Sequence, residues 1–530
     1  MNKTLSEKDS LSMVKKNLFY FFAGLSLILI YLIFLNPYLD VRGFNADDPA
    51  SYINRAVSLW KGIGYGEQFA DVFLPVTGQP FVFSLMIAPV VGWFGVNFLM
   101  LKLFMVFLAI LLSVSLYYFF KYFLEENDQA HLFTLLMMAS PVIFGLSHRV
   151  LADIPLFLFV ILALKALNCY LREPSPVISS DLFLSSLLLG ISYLIKASAI
   201  GVWFGGWFLI LHPRFRSKIV FQKLIAYTII GFIPILMWYA WCRTVPQNLW
   251  YWTVGFKLDF IDPNSHSLQG PLISLSDLFL RMRHNIVWGM SNNIAVIFFA
   301  PFYFTESYLI GFLLGLPIAF WLFLEWIRSY LKNPSVLEGF VVFSLALLLI
   351  KYLGHAARYI ALVYPAFLVY AGRGMKGFSK SKQVLLVSGL FLVSICTTVF
   401  VAIDQAQTPY GSATLKNFVM TAQKAKEIFP SDSKCFVPLM SHWQIMTGHQ
   451  CFFSPQKFLE NLKSNTSTYL VGLSDKGPKD LESFQDLDRH VLKDAVQFRG
   501  IAESMPQAFQ KVYENDTFAI YKVINQGNMA

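Results

Sequence analysis

The sequence predicts a mainly α-helical protein that crosses a membrane many times and ends in a small α/β domain on the outer side. Three observations predict it. Of 530 residues, 56% are hydrophobic and 14% are charged; a soluble protein has roughly a quarter charged, so too little polar surface exists here to cover a soluble globule. Apolar runs of about 18–24 residues, long enough to cross a bilayer, recur through the N-terminal three quarters. From about residue 410 the pattern changes to helical stretches alternating with short apolar runs, CFVPL, TYLVGL and FAIYKVI. Pro, Gly, Asn and Ser separate these runs, as in a small α/β domain.

Charge sets the threading. The formal net charge is +10, yet residues 405–530 carry 13 basic and 12 acidic residues, so the surplus lies in the membrane portion. There it gathers in short loops, at Lys15–Lys16, 214–218 and 373–382, which marks the cytoplasmic side and argues against nucleic acid as a partner. The first run, 18–35, lacks the small-residue cleavage site of a signal peptide and is a retained helix behind a cytoplasmic tail, 1–17. With the basic loops inside, one path is consistent: eleven spans at 18–35, 97–120, 131–147, 151–171, 181–196, 198–211, 219–242, 307–328, 336–353, 357–372 and 383–404. Two further apolar stretches, 80–95 and 285–302, are short and broken by Pro, Gly or Asn, so they are expected as helices lying at the outer interface. The membrane domain is then 18–404, with outer loops 36–96, 148–150 and 243–306, and the outer α/β domain is 405–530.

Two textual matches carry no chemistry. GRGMKG (372–377) satisfies G-x-G-x-x-G but follows a membrane helix in a basic loop, not a strand. DLD (486–488) lies in the outer domain, where nucleotide sugars are absent. The five cysteines show no metal-ligand spacing. Cys169, Cys242 and Cys396 fall in apolar runs as packing residues. Cys435 and Cys451 each begin a short apolar run; as neighbouring parallel strands these runs would bring both side chains within disulfide reach.

Asp47 and Asp48 stand together in the first outer loop, before PASYINRAVSLW. One of them suits a helix N-cap, with Pro49 at the first helical position. A cap also fixes a carboxylate rigidly at the membrane surface, and a fixed Asp is a competent general base. At these residues the sequence resembles the GT-C glycosyltransferases, in the protein-mannosyltransferase and aminoarabinose-transferase-like group (glycosyltransferase family 39-like). NADDPASYINRAVSLWKGIGYG (45–66) is similar to the group's first outer loop, with Asp47, Asp48, Tyr52, Ala56, Gly64 and Tyr65 in its pattern. LPVTGQPFVFSLMIAPVVGWFG (74–95) matches the next element in part. The acidic or His residue often found before its Pro is missing, and Asp71 is the substitute. SHRVLADIPLFLFVILAL (147–164) resembles the second outer loop through Asp153, and HAARYIALVYPAF (355–367) a third element through Arg358 and Tyr359.

The resemblance implies a GT-C membrane fold whose members take sugar from a polyprenyl-phosphate carrier, usually with inversion. Sidedness agrees, since no nucleotide sugar exists outside the cytoplasmic membrane. Such a reaction needs a base and a positive site for the leaving phosphate. Asp47 is the expected base, with Asp48 and Asp153 as further acids of the site. Arg358 leads the donor-phosphate candidates, because a guanidinium grips phosphate bidentately; Lys196, His148, Arg149 and Tyr359 follow. Tyr52, Tyr65, Asp71 and His355 are expected to line the substrate cavity. Arg281, Arg283 and the NLWYW aromatics of the long loop are weaker candidates. The motifs require no cofactor and no metal, although a divalent ion is compatible with them.

The expected protein is thus a multi-pass glycosyltransferase of a bacterial cytoplasmic membrane. Its partners are a polyprenyl-phosphate-sugar donor, a glycolipid, glycan or protein acceptor, and the bilayer. Two other readings stay open: an outer-face polymerase or ligase of lipid-linked glycans, and a lipid or sugar transporter. A transporter would show repeated halves or mid-membrane acids; here the acids sit in outer loops and no repeat is visible.

Overall fold

A computed structural model describes residues 7–38, 47–174, 176–245, 273–288, 308–350, 357–407, 413–452, 458–459, 468–476 and 486–524. Helices α1 (Glu7–Ile33) and α2 (Asp47–Trp60) are followed by a small antiparallel hairpin, β1 (Gly66–Gln68) with β2 (Phe73–Pro75). Next come α3 (Val82–Phe94), α4 (Phe98–Leu124), α5 (Asn127–Met138), α6 (Pro141–Ser147), α7 (Asp153–Arg172) and α8 (Ser180–Ile195). The bundle continues with α9 (Gly201–Leu209), α10 (Lys218–Thr244), α11 (Leu275–Trp288), α12 (Tyr308–Lys332) and α13 (Val336–Ile350). It closes with α14 (Ala357–Ile360), α15 (Tyr364–Gly374) and α16 (Lys380–Gln407).

Among the described residues four helices, α4, α7, α10 and α16, are long and apolar enough to cross a membrane, and the bent pair α5–α6 adds a fifth. The remaining expected spans fall on α1, α8, α9, α12, α13 and the α14–α15 pair. Three of the eleven expected spans are not straight helices. The span at 131–147 bends by 63° between α5 and α6. Pro141 lacks the N–H that would continue the ladder and holds Ser140 extended, at ψ 131°. The span at 198–211 is a 3-10 turn (Ala197–Ile200) and a nine-residue helix. The span at 357–372 divides into α14 and α15 ahead of Pro365. The expected interfacial helix at 80–95 is α3, thirteen residues long, or about 20 Å at 1.5 Å per residue, too short to cross. Its counterpart at 285–302 coincides with α11 only at the start, and 289–302 lies outside the described residues.

α7 is the most buried of the long helices, with 72% of its apolar window covered. α8 packs antiparallel beside it, so the end of α8 lies next to the start of α7. Close approach elsewhere depends on small residues. Where α9 meets α13, a Cβ on Gly339 would stand 2.3 Å from Phe208 and 3.0 Å from the Gly205 Cα. The start of α13 carries a reciprocal cap: Glu338 accepts from the Ser335 N–H (2.7 Å) and hydroxyl (2.8 Å), and the Ser335 hydroxyl oxygen accepts from the Leu337 N–H (3.4 Å).

The C-terminal segment forms a mixed five-stranded sheet in the order β4-β3-β5-β7-β6. Its strands are β3 (Lys434–Phe436), β4 (Gln450–Cys451), β5 (Thr468–Leu473), β6 (Phe509–Glu514) and β7 (Phe518–Val523), with helices α17 (Ala413–Ile428), α18 (Met440–Thr447) and α19 (Asp486–Ser504). β3 runs parallel to β4 and β5, while β7 is antiparallel to β5 and β6. Trp443, Phe418 and Phe518 are fully buried at its centre. The three apolar runs singled out in the sequence are the strands β3, β5 and β7.

Candidate active site

Four separate chain segments meet at one end of the bundle. α7 starts with Asp153, and Ala152 occupies the N-cap position. The Asp153 carboxylate is therefore not spent on capping and turns to two cations. Lys196 lies where α8 breaks, in extended conformation, and its Nζ donates to Asp153 Oδ1 at 2.8 Å. Arg358 comes from α14; its Nη1 is 4.0 Å from Asp153 Oδ2 and donates to Asp48 Oδ2 at 3.2 Å. Its Nη2 donates to the Tyr359 hydroxyl at 3.0 Å. Both cations also stand over the Tyr359 ring, Lys196 Nζ at 5.0 Å and the Arg358 guanidinium carbon at 4.9 Å from its centroid.

Two carboxylates and two cations balance in formal charge. Their exposure does not balance. Asp153 is sunk (3% exposed), Arg358 and Lys196 are partly open (12% and 19%), and Asp48 forms the rim at 25%. Asp153 can thus hold both cations in place from below, with the Lys196 and Arg358 side chains each partly exposed at the opening. An arriving anion would find two positive groups already oriented, with little reorganisation left to do.

No family model matches the sequence, and no curated protein does. Solved structures do. ArnT from Cupriavidus metallidurans bound to undecaprenyl phosphate superposes with a TM-score of 0.62 at 12% identity, over 95% of this chain and 98% of that one. The same protein in the apo state gives 0.63 at 10% identity, over 97% and 98%. An archaeal oligosaccharyltransferase, AglB from Archaeoglobus fulgidus in complex with an inhibitory peptide and a dolichol-phosphate, gives 0.48 at 11% identity, over 86% and 69%. The chain has the GT-C fold. It is a polytopic membrane protein with a C-terminal α/β domain.

A second ionic cluster sits further along α2 of this GT-C chain, and nothing in the sequence analysis pointed to it. Arg55 donates to Glu67 Oε1 through Nε (3.2 Å) and Nη2 (2.9 Å), and Nη1 donates to the Gln79 side-chain oxygen. Both ions are 1% exposed. Burial works most strongly on the Arg55 charge and against it, but the Glu67 carboxylate, Tyr65, Tyr52 and the hydrogen bond to Glu67 together outweigh it and the pKa is raised. The C-terminal domain completes the cluster: the Ser441 hydroxyl donates to Glu67 Oε2 (2.8 Å), and Asn54 Nδ2 donates to the Ser441 carbonyl (3.2 Å). Gln444 Nε2 donates to the Gln68 carbonyl at 3.1 Å, and the Ala70 N–H donates to the Cys451 carbonyl at 2.8 Å. The helix that carries Asp48 is therefore clamped by α18 through Asn54, and the β1–β2 turn beside it by β4 through Ala70. Arg55 falls on the inward stripe of α2 with Tyr52 and Ala56, a charge in an apolar face; that was the available signal, although its partner could not be read from spacing.

Asp47 begins α2, but its side chain lies outside the described residues, as does His355. His148 is buried, with Nδ1 2.9 Å from the Phe144 carbonyl and Nε2 2.9 Å from the Tyr31 carbonyl. It ties α6 to α1, and both ring nitrogens are occupied by backbone oxygens rather than turned to a ligand. Arg149 is half-buried in the turn that follows. Tyr52 packs edge-on against Phe83 at 4.8 Å; burial, then the Asp48 charge, pushes its phenol well above the ordinary range, so it stays protonated. Tyr65 donates to the carbonyls of Gln79 (2.9 Å) and Pro80 (3.2 Å) with its ring against Trp238. It anchors the loop ahead of α3 to α10. Asp71 lies half-buried in the β1–β2 turn. Arg281, on α11, donates weakly to the Ile350 carbonyl at 3.4 Å, and Arg283 is exposed on the same helix. Among the described residues no group of three or more His, Cys, Asp or Glu could hold a metal ion.

Proposed function

We propose that this protein is a glycosyltransferase that moves a sugar from a polyprenyl-phosphate carrier to an acceptor hydroxyl on the outer face of the cytoplasmic membrane. The observation that carries this reading is the convergence of Lys196 and Arg358 on Asp153, with Asp48 open at the rim. The outward placement is supported by the positive loops at the opposite helix ends. Undecaprenyl phosphate bound to ArnT, a protein of the same fold, supports the donor class.

In this mechanism the donor phosphate binds against the Arg358 guanidinium and the Lys196 ammonium. It displaces Asp48 from the guanidinium and leaves that carboxylate free to act as base. The acceptor oxygen attacks the anomeric carbon as the bond to phosphate breaks, so the configuration inverts. The acceptor proton passes to Asp48, and the phosphate leaves with the bonding electron pair against the two cations. Asp153 stays paired throughout and keeps both cations aimed. The sequence reading put the base at Asp47; the contact with Arg358 favours its neighbour.

The test is a panel of polyprenyl-phosphate sugars supplied to the purified protein with cell-envelope acceptors, following sugar transfer and carrier release. Transfer from at least one monophosphate-linked sugar is expected, and it should vanish in Arg358→Ala. Transfer only from a pyrophosphate-linked oligosaccharide would replace this reading with a polymerase or ligase.

A further inference from the structure

In the C-terminal sheet, β3 and β4 are parallel with Cys435 directly opposite Cys451. The two Sγ atoms stand 3.5 Å apart, and both residues are fully buried. Adjacent strands run about 4.8 Å apart, inside the Cα separation of about 4.4–6.8 Å that a disulfide spans. The other three cysteines lie in the bundle, on α7, α10 and α16; only these two meet.

Their place in the sheet gives a bond between them a use. β4 is two residues long and, among the described residues, sits at the sheet edge with β3 as its neighbouring strand. Short edge strands open readily. Yet this one carries contacts that hold the membrane domain: the Cys451 carbonyl accepts from the Ala70 N–H at 2.8 Å. The Cys451 N–H donates to Gln444 Oε1 at 2.9 Å, and that same amide donates to the Gln68 carbonyl at 3.1 Å.

We propose that Cys435 and Cys451 form a disulfide that staples β4 to β3 and so secures the corner on which the β1–β2 hairpin is docked. The proposal rests on the outward placement of this domain, where an oxidising compartment permits the bond. Two thiols give up two protons and two electrons as the S–S bond forms. The electrons pass to the disulfide of a thiol–disulfide oxidoreductase, which is left as a dithiol. Burial of both sulfurs means that the bond forms before the sheet closes over them and is shielded from reductant afterwards.

The full-length protein is extracted from membranes without reductant, in the presence of N-ethylmaleimide, then denatured, digested and mapped by mass spectrometry. The peptides of Cys435 and Cys451 are expected as one linked species, about 2 Da lighter than the two free peptides, that takes up alkylating agent only after reduction. Side by side, a Lys424→Cys variant is probed in whole cells with a membrane-impermeant maleimide. Two alkylated thiols in a domain labelled from outside would overturn the disulfide alone. Two alkylated thiols in a domain labelled only after permeabilisation would overturn the outward placement with it. A Cys435→Ala/Cys451→Ala variant, which lacks the bond, should show amide exchange at Ala70 several-fold faster than the linked parent; unchanged exchange would remove the staple role.

Discussion

The two ionic clusters on α2 use the same chemical parts and differ in what surrounds them. Arg55 and Glu67 are both 1% exposed, twelve residues apart in sequence, with every strong donor directed at a protein acceptor. Asp48 and Arg358 are 25% and 12% exposed and 310 residues apart. The cations around Asp153 share one carboxylate and one aromatic ring, and both are partly exposed. A buried, satisfied pair holds geometry and has nothing left to offer a ligand. A pair at a rim, held from below, can exchange one of its anions for another. The comparison teaches that solvent access, more than residue type, separates the clamp from the site.

The largest effect should come from the rim. Asp48→Asn keeps the shape and removes the base, so turnover should fall about 10²–10⁴-fold with an unchanged Tm. Asp47→Asn in the same assay should fall less; if Asp47→Asn is the dead variant, the base is Asp47 and Asp48 only positions Arg358. Arg358→Lys keeps the charge but loses the planar fork, and should cost about 10–100-fold in kcat/KM, about 1.4–2.7 kcal/mol.

In the clamp, the effect should move from activity to stability. Arg55→Met leaves Glu67 buried and unpaired and should destabilise by about 3–5 kcal/mol, read as a lower Tm in detergent. The double variant Arg55→Met/Glu67→Leu should recover most of that loss. No recovery would mean that the clamp has a role beyond geometry. Ser441→Ala removes one hydrogen bond to a charged group, about 1–3 kcal/mol, and Ser441→Thr should restore it. A rim residue should show none of this rescue by apolar replacement.

A carboxylate far from both clusters gives the smallest effect. Glu514 accepts from Ser474 (2.5 Å), the Asp475 N–H (3.0 Å) and Lys511 (3.1 Å), and the Ser474 bond first among these pulls its pKa from 4.5 down to about 2. Because the folded value is the lower one, the stabilisation is fully present above pH 4.5 and disappears as pH falls towards about 2. A Glu514→Gln variant should lose stability relative to the parent at pH 6 and approach it at pH 2.5, a contrast that denaturant titration at the two pH values would measure.

Composition and order along the chain were enough to establish a polytopic helical protein with a small α/β domain. The resemblance to GT-C loops brought out Asp47, Asp48, Asp153, Arg358 and Tyr359, and for Asp153 the cost of an ion at a membrane boundary pointed the same way, while Lys196 stood out as a charge at a hairpin turn between apolar runs. Pro141 was visible too, but whether it bends a helix or ends one depends on how α5 and α6 pack, and its 63° bend was not legible. His148 stood among the candidates on residue type and on its place in the expected outer loop 148–150, which say nothing of the carbonyls of Tyr31 and Phe144 beside its ring nitrogens.

What the sequence by itself determined follows from local and average properties: length of apolar runs, sign of loop charge, strand and helix period, and the presence of acids beside helix starts. Which acid meets which cation was decided only by tertiary structure. The Asp48–Arg358 contact spans 310 residues and the Glu67–Ser441 contact 374. No periodicity extends over such distances, since the pairing is set by how α7 and α8 stack and by where the C-terminal sheet docks, and those depend on shape complementarity among hundreds of side chains at once.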